Sequence, residues 1–69
     1  MSADKDTLSK RELEVLHLIV EGLTDRQIAN ELGFTQHTAN AHRKSLLIKM
    51  KANNTASLVA AAFRRGVVK

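Results

Sequence analysis

Gly22 and Gly33 bracket a segment with room for only about two helical turns. That segment opens with its own start signal, Thr24 followed three residues later by Gln27. A helix so short is unstable in water, so the segments on either side must hold it. The same punctuation runs through the chain. Ser9 precedes Glu12 by three residues, Thr35 follows Gly33 closely, and Asn54 and Thr55 precede a last apolar stretch that ends at Gly66. Ser, Thr and Asn take up the free N–H groups of a first turn, and Gly supplies the left-handed residue after a last one. The spacing therefore predicts four short helices in one all-α domain.

Composition supports this. The chain has 69 residues with Pro 0 and Cys 0, and its only aromatic residues are Phe34 and Phe63. Disulfides, thiolate metal sites and a cysteine nucleophile are excluded. His17, His37 and His42 lack cysteine partners, and His37 and His42 lack the i, i+4 ligand spacing, so neither metal nor cofactor is expected. No apolar run approaches the roughly 18 residues of a membrane span. The polar start Met1 to Asp6 has no apolar signal core, which makes the cytoplasm the expected compartment. Residues 1–7 read as a flexible lead-in and 8–69 as the single domain. Lys plus Arg number 11 and Asp plus Glu 7, a net charge of +4 that favours a polyanionic partner, nucleic acid before membrane.

Helical wheels assign faces. In the first helix Leu16 and Ile19 centre the apolar stripe, Leu13 and Val15 flank it, and Leu18 falls outside. Leu8 can staple onto Leu13. Glu12 lies within the stripe and is expected to cap Ser9 and to pair with a cation such as Arg43 or Lys49. In the second helix Ile28, Ala29 and Leu32 face inward. In the third, Ala39, Leu46 and Met50 form the buried stripe, while His37, Asn40, Ala41 and Lys44 share the opposite side and Ile48 points outward. In the fourth, Leu58, Val59, Ala62 and Phe63 form the apolar face, leaving Ala60 and Ala61 outward as a flat surface for close helix approach. A charged change at Ala61 is then expected to leave the fold intact.

The second and third helices meet the demands of a helix-turn-helix. Ala29 is small where the helices cross, Gly33 provides the turn, and Ala39 anchors the first turn of the next helix. In such a unit the outward face of the third helix enters a major groove. There Asn40 and Lys44, one turn apart, suit adenine and guanine, and Ala41 suits a thymine methyl. His37 lies on the same face.

Longer stretches resemble a known family. Leu8-Ser9-Lys10-Arg11-Glu12-Leu13-Glu14-Val15-Leu16 resembles the Leu-Thr-x-Arg-Glu-x-Glu-Val-Leu opening of LuxR-type DNA-binding domains, the NarL/FixJ and GerE kind. Gly22 to Ala29 resembles their Gly-x-Ser/Thr-Asn-Lys-Glu-Ile-Ala. Thr38-Ala39-Asn40-Ala41-His42-Arg43 resembles Thr-Val-Lys-x-His-Arg, and Asn53 to Val59 with Arg65-Gly66 resembles their fourth helix. The resemblance implies a sequence-specific, double-stranded DNA-binding domain of a bacterial transcription regulator. It implies phosphate contacts from Arg26 and His42. Thr24, Thr35, Gln36, Arg43 and Lys49 complete the expected backbone set. It also implies a homodimer on DNA through the fourth helix, with Ala60, Ala61 and Arg64 in contact, and RNA polymerase as a further partner. Departures are Ala39 for Val, Asn40 for a basic residue, Lys51 for the frequent Gly and Thr55 for Arg. A sigma-factor region 4 shares the Arg-Glu-x-Glu-Val-Leu start but ends soon after the recognition helix. A helical protein-interaction module using Leu18, Ile48 and Ala60–Ala61 is the reading without DNA. No nucleophile–base pair or phosphate loop suggests an enzyme.

Overall fold

Each helix begins where a side-chain oxygen takes up a free N–H of the first turn. In the computed structural model, which describes residues 8–68, Ser9 caps α1 (Lys10–Val20), Thr24 caps α2 (Asp25–Leu32), Thr35 caps α3 (Gln36–Lys49) and Asn54 caps α4 (Thr55–Arg64). The lead-in expected over residues 1–7, and residue 69, lie outside the described residues. Both predicted capping boxes close. Glu12 N–H donates to Ser9 Oγ at 3.1 Å and Ser9 N–H to Glu12 Oε1 at 2.9 Å. Thr24 and Gln27 make the same exchange at 2.9 and 3.2 Å. Each cap contributes on the order of 1 kcal/mol. No strand occurs among the described residues.

The stops are left-handed residues. Gly22 follows α1 at φ 94°, and Gly33 ends α2 at φ 78°. After α3 the same geometry falls on Lys51, at φ 55°, the one described non-glycine residue with positive φ. Its N–H donates to Ile48 O at 3.2 Å and that of Ala52 to Leu47 O at 2.9 Å, which closes the helix end. A side chain held there costs about 1–2 kcal/mol, partly offset in a glycine by its larger unfolded-state entropy. Lys51→Gly is therefore expected to stabilise the domain by about 0.5–1 kcal/mol, a rise of a few degrees in a thermal melt. An unchanged or lower melting point would show that Lys51 is not strained.

The helices surround one core. Val15, Leu16 and Ile19 of α1, Ile28 and Ala29 of α2, Ala39 and Leu46 of α3 with Met50 after it, and Leu58, Ala61 and Ala62 of α4 are all buried. Helix α3 packs on α2, α1 and α4. Beyond Gly66 the chain turns back, with Val67 N–H donating to Ala62 O at 2.9 Å, and Val67 and Val68 close the base of the core. No sequence reading had assigned them there. Leu8 is buried and Leu13 packs on the same cluster, as the staple requires.

Two assignments of face change. Leu18 is half-buried against the core, because the chain after Gly22 returns over it and Leu23 N–H donates to Leu18 O at 3.1 Å. Helix α4 is rotated from its predicted setting. Ala61 is 2% exposed and part of the core, so it is not an outward contact residue, whereas Phe63 is 47% exposed. The expected inward face, Leu58, Val59, Ala62 and Phe63, had left Ala61 outside. In the packed domain Leu58, Ala61 and Ala62 form the inward face, where small residues let α4 lie close to its neighbours.

Candidate nucleic-acid interface

Helix α3 carries its core residues on one side and polar ones on the other. Ala39 and Leu46 are fully buried. Opposite them His37, Ala41 and Lys44 are exposed, as is Gln36 at the N-terminal end. Arg26 is exposed on α2. Thr24 and Thr35 are exposed, and their hydroxyls serve as helix caps. Thr24 and Arg26 thus stand at the start of α2, Thr35 and Gln36 at the start of α3, and His37, Ala41 and Lys44 along its outer side.

Two charged networks set how α3 stands. At its C-terminal half, Glu12 of α1 is only 4% exposed and accepts from Lys49 Nζ at 2.8 Å and Ser45 Oγ at 2.8 Å, besides the Ser9 N–H. Burial alone would raise the Glu12 pKa. The hydrogen bonds from Lys49, Ser9 and Ser45, with the charge of Lys49, outweigh burial and bring it from 4.5 down to about 2. Of the two cations expected as its partner, Lys49 fills the role and Arg43 does not.

Arg43 belongs to the second network. Its Nε donates to Asp25 Oδ1 at 2.7 Å and its Nη1 to Thr55 Oγ1 at 2.7 Å, so one guanidinium ties α3 to the first residues of α2 and α4. Asn40 Nδ2 donates to the other oxygen, Asp25 Oδ2, at 3.1 Å. Burial would raise the Asp25 pKa, and the bonds from Asn40 and Arg43 with the Arg43 charge outweigh it, leaving it below the usual carboxylate value. Thr55, which stands where many members of the resembled family carry Arg, thus supplies a neutral acceptor.

The expected backbone-contacting cations therefore divide. Arg26 is on the surface, whereas Arg43 and Lys49 pair with carboxylates of the domain, Arg43 with 16% of its side chain exposed and Lys49 with 40%. His42 is half-buried, its ring centroid 5.5 Å from that of Phe34 at 41°. The Arg11 guanidinium lies 5.7 Å from the Phe34 centroid on its own account. Asp25, Ser45, Phe34 and Arg11 escaped the sequence reading as contributors to this face. Their partners lie on other helices, where no periodicity points to them.

Among the described residues no cluster of three or more His, Asp or Glu is placed to hold a metal ion, and no helix is long and apolar enough to cross a membrane.

Comparison with known proteins adds a family and relatives. The model for bacterial regulatory proteins of the luxR family matches residues 6–62. The transcriptional regulatory protein MctR of Rhizobium johnstonii is 43% identical over 63 residues, which is 91% of this chain and 29% of that protein. The transcriptional regulatory protein FixJ of Rhizobium meliloti is 40% identical over 60 residues, 87% of this chain and 29% of that protein. The response regulatory protein YgeK of Escherichia coli is 37% identical over 60 residues, covering 87% of this chain and 41% of its own length. The chain thus spans less than half the length of these relatives.

Proposed function

The chain belongs to the luxR family of bacterial regulatory proteins and carries that family's helix-turn-helix DNA-binding domain, the part of a transcription regulator that engages DNA, and from this premise we propose how it reads its site. Residues 8–69 act as one DNA-binding unit, of the kind that the longer regulatory relatives carry as part of their chains. Helix α3 lies in the major groove of double-stranded DNA. Asn40, Ala41, Lys44 and His37 face base edges, and Arg26, His42, Gln36 and the caps Thr24 and Thr35 lie along the phosphates. Arg43 and Lys49 act from behind, holding α3 at its angle through Asp25 and Glu12.

The observation that carries this reading is the two-sided character of α3. One face is locked into the core by Ala39 and Leu46 and braced by two ion pairs, and the other offers short polar and basic side chains at groove-reading spacing. A helix presented so rigidly gives up little entropy when it binds. A transcription-regulatory role is non-enzymatic, and the relatives' names describe regulators. The sigma-factor comparison gives way to the match along most of the chain, which reaches into α4.

Pairing on DNA uses α4, on a corrected face. Ala56, Val59, Ala60 and Phe63 recur at i, i+3, i+4 and i+7, with Ala56, Ala60 and Phe63 exposed and Val59 half-buried, and Arg64 flanks them. This is the apolar stripe of a helix that meets a second copy of itself.

Binding to duplex DNA is expected to depend steeply on salt. With the two exposed cations of this face, Arg26 and Lys44, each releasing about one counterion, affinity falls roughly 12-fold between about 50 and 200 mM salt. Fluorescence anisotropy on duplexes recovered by selection from random DNA measures it. Asn40→Ala loses about 1–3 kcal/mol on the best site and relaxes one position, while Arg26→Ala weakens all duplexes about equally. Affinity indifferent to salt would end the DNA reading and leave the protein-interaction alternative.

A further inference from the structure

We propose that Asp25, a residue of α2 standing behind the reading face, decides which bases Asn40 accepts by fixing which end of the Asn40 amide is turned to the groove. The inference rests on the reading of Asn40 as a base contact and adds the determinant of its specificity. Asn40 stands where the resembled family commonly has a basic residue, and Asp25 lies opposite it on the neighbouring helix.

The argument starts from hydrogen-bond chemistry. An ionised carboxylate only accepts, whereas an amide has an accepting oxygen and a donating nitrogen. The end of the Asn40 amide that faces Asp25 must therefore be the nitrogen, as the 3.1 Å contact between Nδ2 and Oδ2 has it. The carboxylate is not free to turn away. Its other oxygen is held by Arg43 Nε at 2.7 Å, and Arg43 is held in turn by Thr55 at 2.7 Å. The carboxylate is also ionised throughout the neutral range. Asn40 thus keeps one orientation, with one N–H spent on Asp25 and Oδ1 and the second N–H remaining.

Such an amide leads with an acceptor and supports it with one donor. Adenine offers the matching pair, the N6 donor and the N7 acceptor, and guanine presents acceptors at both places. Asp25 therefore makes adenine the preferred base opposite Asn40 and disfavours guanine.

The near-isosteric change Asp25→Asn reverses the logic. Arg43 Nε needs an acceptor and keeps the side-chain oxygen at position 25, which turns the new amide nitrogen toward Asn40. Two donors then meet, and Asn40 flips to offer Oδ1 inward and its NH2 group to the groove. Two outward donors match the O6 and N7 of guanine. The preference at that one position is expected to move from adenine toward guanine, changing the affinity ratio by about tenfold or more, with other positions unchanged.

The test measures binding of the unmodified chain, Asp25→Asn and Asn40→Ala to duplexes in which each position of a selected site carries all four bases in turn. Asn40→Ala must relax one position; if it changes none, Asn40 reads no base and the interface reading itself fails. If Asn40→Ala relaxes a position where Asp25→Asn keeps the unmodified preference, the orienting role of Asp25 is overturned while the interface stands. Should Asp25→Asn not fold, the side-chain amide signals of Asn40 in the unmodified protein decide. One Nδ2 proton shifted downfield and protected from exchange with water supports the proposal, and two equally exposed protons overturn it.

Discussion

Ala61→Glu unfolds the domain, and Phe63→Glu leaves it folded while abolishing cooperative occupancy of paired sites. At Ala61 there is no room and no water, since the side chain is 2% exposed among core residues. Overpacking costs typically about 1–3 kcal/mol, and a carboxylate buried without a partner adds several more or must be protonated. A single core of this size supplies rarely more than about 3–5 kcal/mol of stability, so the sum of these costs exceeds what is available. The far-ultraviolet circular dichroism of Ala61→Glu at 25 °C should be that of an unfolded chain. Phe63 is on the outer face, where a carboxylate remains in water, so the melting curve should hardly move. On a duplex with two half-sites, however, two carboxylates would meet across the pairing α4 helices, and cooperative binding should disappear while single-site affinity persists. A cooperative thermal transition for Ala61→Glu would show that α4 is not seated as described. Unchanged cooperativity in Phe63→Glu would remove this face from the dimer.

Glu12→Ala should lower stability by about 2–3 kcal/mol. Breaking a buried pair usually costs about 3–5 kcal/mol. Here part of that is recovered, because Lys49 keeps 40% of its side chain exposed and can return its charge to water. What remains is the loss of the Ser9 N–H cap, of the Ser45 hydroxyl's acceptor and of the tie between α1 and α3. Glu12→Gln keeps an acceptor for Ser9 and should regain about 1 kcal/mol. The same carboxylate sets an acid limb. Its folded pKa of about 2 lies below the 4.5 of the unfolded chain, so it favours folding above pH 4.5. That contribution, at most roughly 3 kcal/mol, is lost as pH falls from 4.5 toward 2. Asp25, also depressed, acts in the same direction. Thermal melts between pH 7 and pH 2 should therefore show a falling stability that Glu12→Gln flattens. Equal acid sensitivity in both proteins would mean that Glu12 is not the group responsible. Because Glu12 holds α3 without touching DNA in the proposed complex, its loss should weaken all duplexes alike.

Much of this molecule was legible in the order of its residues. The helix starts at Ser9, Thr24, Thr35 and Asn54 and the stops at Gly22 and Gly33 depend on partners three to five positions away in the chain, so they can be read without knowing the fold. The division of α3 into a core face through Ala39, Leu46 and Met50 and an outer face through His37, Ala41 and Lys44 is likewise a matter of 100° per residue. Glu12, a carboxylate within an apolar stripe, could hardly be there without a cap and a cation to satisfy it.

Tertiary packing decided the rest. Helix α4 has apolar residues nearly all round, so its own sequence leaves the rotation open, and the fit of small side chains against neighbouring helices put Ala61 inside and Phe63 outside. Glu12 had two cations within plausible reach, and the placement of α2 gave Arg43 to Asp25 and left Lys49 for Glu12. Asp25 and Asn40 are 15 residues apart on different helices, and only the helix crossing brings the carboxylate to the amide. Contacts within a helix follow from its fixed geometry, whereas contacts between helices depend on crossing angles and rotations set by the whole core at once.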